Sequence, residues 1–287
     1  MDYQHILYAP DADDPRIVRL TLNRPEKLNA LSQDLLRELF DARDQFDADP
    51  TGVVLIIKGS GRAFSSGYDL GSQQLEPGAV QAAPSIDSIR RFMNWTVDEY
   101  LKLWNLRKPT IAQIHGYCLS GGTELSAMCD FIVAADNTRI GHIAGRYQGT
   151  LRTNSLWPWI IGMRRSKEIL MTGDLIDGRT AAEWGMVNQA VPAAELDDAA
   201  TDLARRVVRI PLPILTLHKH SVNRWFEIQG IYGALRSAVD FDAMGGFTGV
   251  GDDFRKIVRA QGLKAALEWR DKPWADFQPL RGRTAKA

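Results

Sequence analysis

Two glycine-centred turns carry the residue types from which an anion-stabilising, proton-moving site can be built. The first lies in Ile114-His115-Gly116-Tyr117-Cys118-Leu119-Ser120-Gly121-Gly122-Thr123-Glu124-Leu125, where an apolar strand runs into glycines and a carboxylate follows in the first turn of a helix. Gly121 and Gly122 lack side chains, so a substrate oxygen can reach backbone N–H groups, and the open helix end favours negative charge. That is how an oxyanion hole is built, with Glu124 at hand as a base. A Glu in a first helical turn also has an ordinary use, as a surface residue that complements the helix dipole. The second turn, Gly61-Arg62-Ala63-Phe64-Ser65-Ser66-Gly67-Tyr68-Asp69-Leu70, follows the apolar run from Gly52 to Gly59 and can supply another convergent donor.

The elements that must position these turns read as alternating strand and helix. Strand patterns cover Ile17 to Leu22, Val53 to Lys58, Thr110 to Ile114 and Phe131 to Ala135. Helical patterns cover Ser32 to Asp47, Ile86 to Asn105 and Thr123 to Met128. This alternation predicts an α/β fold. Ser32 is placed to cap the first helix, and Pro50-Thr51-Gly52 breaks the chain before the next strand. Residues 71 to 87, rich in Gln, Ala, Pro and Gly, read as a mobile loop or lid beside the second turn. Past Pro192 helices dominate, at Ala194 to Ile210, Pro213 to Phe226, Ile231 to Met244 and Gly262 to Arg270. The shift divides the chain into a core, residues 1–192, and a helical C-terminal region, residues 193–287.

With 287 residues and 45% hydrophobic content, the chain can bury a sizeable core. Its apolar runs fall short of the roughly 20 residues a membrane-spanning helix needs, and its N-terminus lacks a signal-peptide pattern. Lysine and arginine total 35 against 35 aspartates and glutamates. That balance argues against nucleic-acid or acidic-membrane partners. Cys118 and Cys129, the two cysteines, lack metal-ligand spacing and read as buried thiols in a reducing cytoplasm, so no metal site is expected. A serine-hydrolase reading finds no Gly-x-Ser-x-Gly elbow.

The two turns resemble those of the enoyl-CoA hydratase/isomerase, or crotonase, family when taken with four further segments. These are Leu22-Asn23-Arg24-Pro25-Glu26-Lys27-Leu28-Asn29-Ala30-Leu31, Met128 to Asp136, Leu175 to Asn188 and Gly262 to Pro273. The resemblance covers nearly the whole chain in family order. It implies a spiral of repeated ββα units, with the helical C-terminal region driving assembly into a homotrimer or a dimer of trimers.

The resemblance further implies an acyl-CoA thioester substrate, with no cofactor beyond its coenzyme A moiety. It assigns the thioester oxygen to the backbone N–H groups of Tyr68 and Gly121, and acid/base work to Glu124. Arg24, Lys27 and Leu70 match the family's coenzyme A contacts, and Lys272 matches a region that reaches the nucleotide phosphate of a neighbouring subunit. The second family glutamate falls on Ala144. Hydration divides water activation and proton delivery between two carboxylates, whereas one base suffices to move a proton between carbons. His142, Arg146 and Tyr147 are candidates to stand in. Asp69 and Asp130 read as structural, Asp69 by holding its turn. The aromatics of Thr153 to Trp159 read either as acyl-pocket walls or as ordinary core. The expected function is therefore enoyl-CoA hydratase/isomerase chemistry. The alternatives are a C–C hydrolase or decarboxylase of the same family, and a non-catalytic member that binds acyl-CoA or RNA.

Overall fold

The most apolar runs of the chain become the central strands of one sheet. The computed structural model describes residues 2–70, 85–147, 149–150 and 152–275. In chain order it begins β1 (Ile6–Pro10), β2 (Ile17–Leu22), α1 (Gln33–Ala48), β3 (Val54–Gly59), α2 (Ile86–Trp104), β4 (Thr110–Ile114), β5 (Tyr117–Leu119) and α3 (Gly121–Ala127). There follow β6 (Phe131–Ala135), β7 (Arg139–Gly141), α4 (Trp157–Ile160), α5 (Met163–Thr172), α6 (Gly178–Glu183) and β8 (Gln189–Val191). Helices complete the described chain: α7 (Leu196–Val207), α8 (Leu212–Ile228), α9 (Ile231–Gly245), α10 (Val250–Gln261) and α11 (Leu263–Asp271).

Six strands pair in the order β1-β2-β3-β4-β6-β8, parallel throughout except for the antiparallel β1–β2 hairpin. Both faces are covered, as parallel sheets require. One face, with Leu20, Leu55, Ile57 and Ala112, joins a core that includes Leu35, Leu39 and Phe46 of α1. The other, with Ile17, Val54, Ile56, Ile111 and Val133, packs on Leu196, Ala200, Ala204 and Val207 of α7.

After each inner strand the chain makes a short excursion to a second row of pairing before its next helix. The excursion after β2 bridges Leu31 to Tyr68, that after β3 bridges Ser65 to Cys118, β5 pairs with β7, and Ile140 bridges Ile176. This recurrence is the ββα repeat. Its entry from β4 depends on Gly116, at φ +59°, where an added Cβ would lie 1.9 Å from the Arg62 carbonyl oxygen. Only glycine accepts both the angle and the contact.

The predicted strands over 17–22, 110–114 and 131–135 are present with those bounds, and Ser32 caps α1 by accepting from the Leu35 amide. Three differences have physical causes. The helix expected from Thr123 starts at Gly121, because Ser120, at φ +46° and ψ −112°, reverses the chain one residue earlier. Strands β5, β7 and β8 have three residues each, too few for an alternating pattern. Helix α10 was not expected because glycines surround its start at Gly249 and Gly251. The predicted loop over 71–87 lies largely outside the described residues. Both cysteines are buried and free, and burial pushes their thiols up to about 12.

Candidate active site

The site forms where the excursions after β3 and β4 meet. Tyr68 pairs with Leu31 as in a parallel ladder: the Leu31 amide donates to Gly67 O and the Asp69 amide donates to Leu31 O. In that register the Tyr68 N–H points away from Leu31. Gly121 follows the strained Ser120 at the first position of α3, where a helix has no internal acceptor for its N–H. Among the described residues neither amide donates a hydrogen bond. The turns abut closely, since a Cβ on Gly67 would fall 3.3 Å from the Gly121 nitrogen and one on Gly121 would fall 2.8 Å from the Tyr68 ring. Ser120, at φ +46°, holds a backbone conformation that non-glycine residues rarely adopt.

Glu124 lies one turn into α3 and is 1% exposed, so it is no solvated surface residue. Its Oε2 accepts from the Tyr68 hydroxyl at 2.6 Å. Arg152 donates through Nε to Oε1 at 3.3 Å and places Nη2 3.3 Å from Oε2. The same Nε lies 3.3 Å from Asp242 Oδ2 on α9, and the guanidinium stacks over the Tyr68 ring at 4.2 Å. Tyr100 of α2 closes the cluster, its hydroxyl 3.5 Å from that of Tyr68.

Thr150, Thr153 and Asn154 tie this part of the chain to both neighbours. Thr153 Oγ1 donates to the Glu124 carbonyl, Asn154 Nδ2 donates to Thr123 Oγ1, and the Thr150 amide donates to Asp242 Oδ1.

Two buried carboxylates thus share one buried cation. Burial raises the Glu124 carboxyl above its ordinary range while Arg152 and the Tyr68 hydrogen bond pull it back, and nearby Asp242 adds to the rise. Asp242 is likewise raised by burial and opposed by Arg152. For Arg152, burial works against the charge, but the two carboxylates outweigh it and hold the guanidinium protonated. Burial also raises Tyr68 well above the usual phenol value, so it remains a neutral donor.

Of the three candidates to replace a glutamate at position 144, His142 faces Arg152, whereas Arg146 and Tyr147 are engaged by other partners. Ala144 begins the second residue of a 3-10 turn over Ile143–Arg146, and its amide donates to Ser120 Oγ. A Cβ on Gly149 would lie 3.4 Å from Asp242 Oδ1, 3.6 Å from Ala144 Cβ and 4.0 Å from His142 Nε2. His142 is buried, with neither ring nitrogen in a well-formed hydrogen bond among the described residues. Burial, then Arg152, lowers it to about 4, so the ring is neutral. Arg146 instead binds Gly173 O and Asp271, and Tyr147 stacks on Phe254.

The other sequence candidates have plain positions. Arg24 Nη1 donates to Ala30 O and Asp69 Oδ2, so the Asp69 carboxylate binds an arginine while its amide donates to Leu31 O. Lys27 and Lys272 are exposed, and Leu70 packs beside Tyr147 and Phe254. Asp130 accepts from Thr110 and Lys219, a structural pairing. Trp157 is core while Trp159 is partly exposed. An apolar cavity of about 450 Å³ lies against the far side of α3, between Trp157, Ile114, Val222 and Phe226, and Tyr68, Gly121 and Glu124 take no part in its walls. Arg152 and Asp242 escaped the sequence reading, since no motif or spacing ties them to Glu124.

A profile described as enoyl-CoA hydratase/isomerase matches residues 14–276. EchA13 of Mycobacterium tuberculosis, which carries the name of an enoyl-CoA hydratase, is 37% identical over 250 residues, spanning 82% of this chain and 78% of its own. The hydroxycinnamoyl-CoA hydratase-lyase of Pseudomonas fluorescens is 32% identical over 263 residues, 88% of this chain and 89% of its own. Among solved structures, an enoyl-CoA hydratase from Mycobacterium smegmatis superposes with a TM-score of 0.87 at 30% identity, covering 97% of this chain and 98% of its own. An enoyl-CoA hydratase/isomerase from Xanthobacter autotrophicus Py2 gives 0.85 at 36% identity, covering 95% and 99%.

Proposed function

The chain belongs to the enoyl-CoA hydratase/isomerase family, and from that premise we propose that it moves a proton on the acyl group of an acyl-CoA thioester, with Glu124 as the base. The supporting observation is a buried carboxylate in the first turn of α3, beside two backbone amides that donate nowhere else among the described residues. Glu124 takes the proton from Cα, the C–H electron pair moves into the thioester carbonyl, and the enolate oxygen is held by the Tyr68 and Gly121 N–H groups. Loss of one such donor costs roughly 3 kcal/mol of transition-state stabilisation. Returning the proton at Cγ completes an isomerisation.

Hydration needs in addition a group that takes a proton from water as its oxygen bonds to Cβ. Ala144 cannot do so, which favours isomerisation over water addition. The same alanine leaves room for a second reading, C–C hydrolysis or decarboxylation through the same enolate. Arg24, Lys27 and Leu70 are assigned to coenzyme A, Arg24 while also serving Asp69. Lys272 is assigned to the nucleotide phosphate of a neighbouring subunit in a homotrimer, and no group beyond coenzyme A is required.

The test follows crotonyl-CoA and a 3-enoyl-CoA by enoyl absorbance, with products resolved by mass and Glu124→Gln assayed beside the wild type. The expected result is double-bond migration exceeding water addition, and a loss of about a hundred- to ten-thousandfold in the variant. Undiminished turnover by Glu124→Gln would remove Glu124 from the chemistry. A shortened acyl product would favour the second reading, and thioester binding without turnover would favour a binding protein.

A further inference from the structure

We propose that Arg152, gripped by Asp242 from the helical C-terminal region, is the positioning residue of this site, fixing the Glu124 carboxylate in place and in its charged form. The inference rests on the reading of Glu124 as the base, and it names two residues that the family pattern does not. The geometry carries it. One guanidinium nitrogen stands 3.3 Å from a carboxylate oxygen of each residue, the guanidinium face covers the Tyr68 ring, and Tyr68 donates to Glu124. The second Asp242 oxygen is taken by the Thr150 amide, so α9 holds the loop that presents Arg152. Thr153 and Asn154 pin that loop to α3 from the other side. A planar fork with fixed donor directions can orient a carboxylate in a way a flexible ammonium cannot.

Buried carboxyls tend to take up protons unless an opposite charge is near. The groups facing Glu124 are Tyr68 from the turn after β3, Tyr100 from α2, Arg152 from the loop, Asp242 from α9, and His142 ahead of the 143–146 turn, which faces Arg152. Both tyrosines are neutral, Tyr100 because burial raises it. His142 is neutral above about pH 4. Arg152 is therefore the one cation of this group, and Asp242 competes for it. Opposite effects follow: removing Arg152 makes Glu124 harder to ionise, whereas removing the Asp242 charge leaves Arg152 wholly to Glu124 and makes it easier to ionise.

The experiment is an infrared titration of buried carboxyl groups in the substrate-free, full-length protein, with Glu124→Gln and Asp242→Asn assigning the bands. Arg152→Gln should move the Glu124 midpoint to higher pH and Asp242→Asn should move it to lower pH. Arg152→Lys should lie nearer the wild type than Arg152→Gln. In turnover, the acidic limb of the kcat/KM profile should move in the same directions, with a loss of roughly tenfold or more for Arg152→Gln at neutral pH. An unmoved midpoint in Arg152→Gln, or shifts of the same sign in both variants, overturns the proposal. Should Arg152→Gln fail to fold, Asp242→Asn decides alone, since a raised or unchanged midpoint contradicts it. Titration shifts without any turnover in the wild type would uphold the role of Arg152 and sink the reading of Glu124 as a base. Turnover with unmoved midpoints would do the reverse.

Discussion

At the scale of single residues, the site is defined by which charges are buried and which have partners. His142 gives this a measurable form. Its ring is neutral in the folded protein, lowered to about 4 from an ordinary 6.5, so the unfolded chain binds the proton more tightly. Its contribution to stability is fully present above pH 6.5 and is lost as pH falls toward 4. His142→Gln should flatten the pH dependence of the melting temperature across that window, as scanning calorimetry would report. An unchanged slope would show that His142 does not govern acid sensitivity. Glu124 and Gly121 were legible in the sequence because they share one short motif with the turn that serves them. Arg152 and Asp242 were not, because their roles come from a meeting of loop and α9 that no local pattern encodes. A lone arginine or aspartate in sequence reads as solvated until its burial is known.

At the scale of elements, the strong signals were the long apolar strands and the capped helices. Helix α1 has a cap and a buried apolar side: Ser32 caps it, and Leu35, Leu36, Leu39, Phe40 and Phe46 are buried in the core. Ser32→Ala should cost about 1 kcal/mol, visible as a lower urea midpoint with an unchanged slope. A change in slope would mean that more than the cap was lost. The three-residue strands of the second row fell below what alternation can reveal, although they are the elements that aim both turns. What a short strand lacks in pattern it gains from its neighbours, since β5 and β7 are fixed by the parallel ladder between them and by Gly116 at the entry.

At the scale of the whole molecule, α8 is the outlier. Leu217, Val222, Trp225 and Ile228 are all more than half exposed on one helix, a concentration of apolar surface unusual for a face left in water. If the proposed homotrimer covers this face, Leu217→Glu combined with Trp225→Glu should turn trimers into monomers in light scattering. Monomers in the wild type would contradict the assembly. The cluster around Arg152 also spans the chain from the Tyr68 turn to Asp242 on α9. A ribosome releases Glu124 and its two amides long before it releases Asp242. Glu124 and Arg152 are therefore made before the α9 residue that grips the arginine, so the cluster can close only once the chain has reached Asp242.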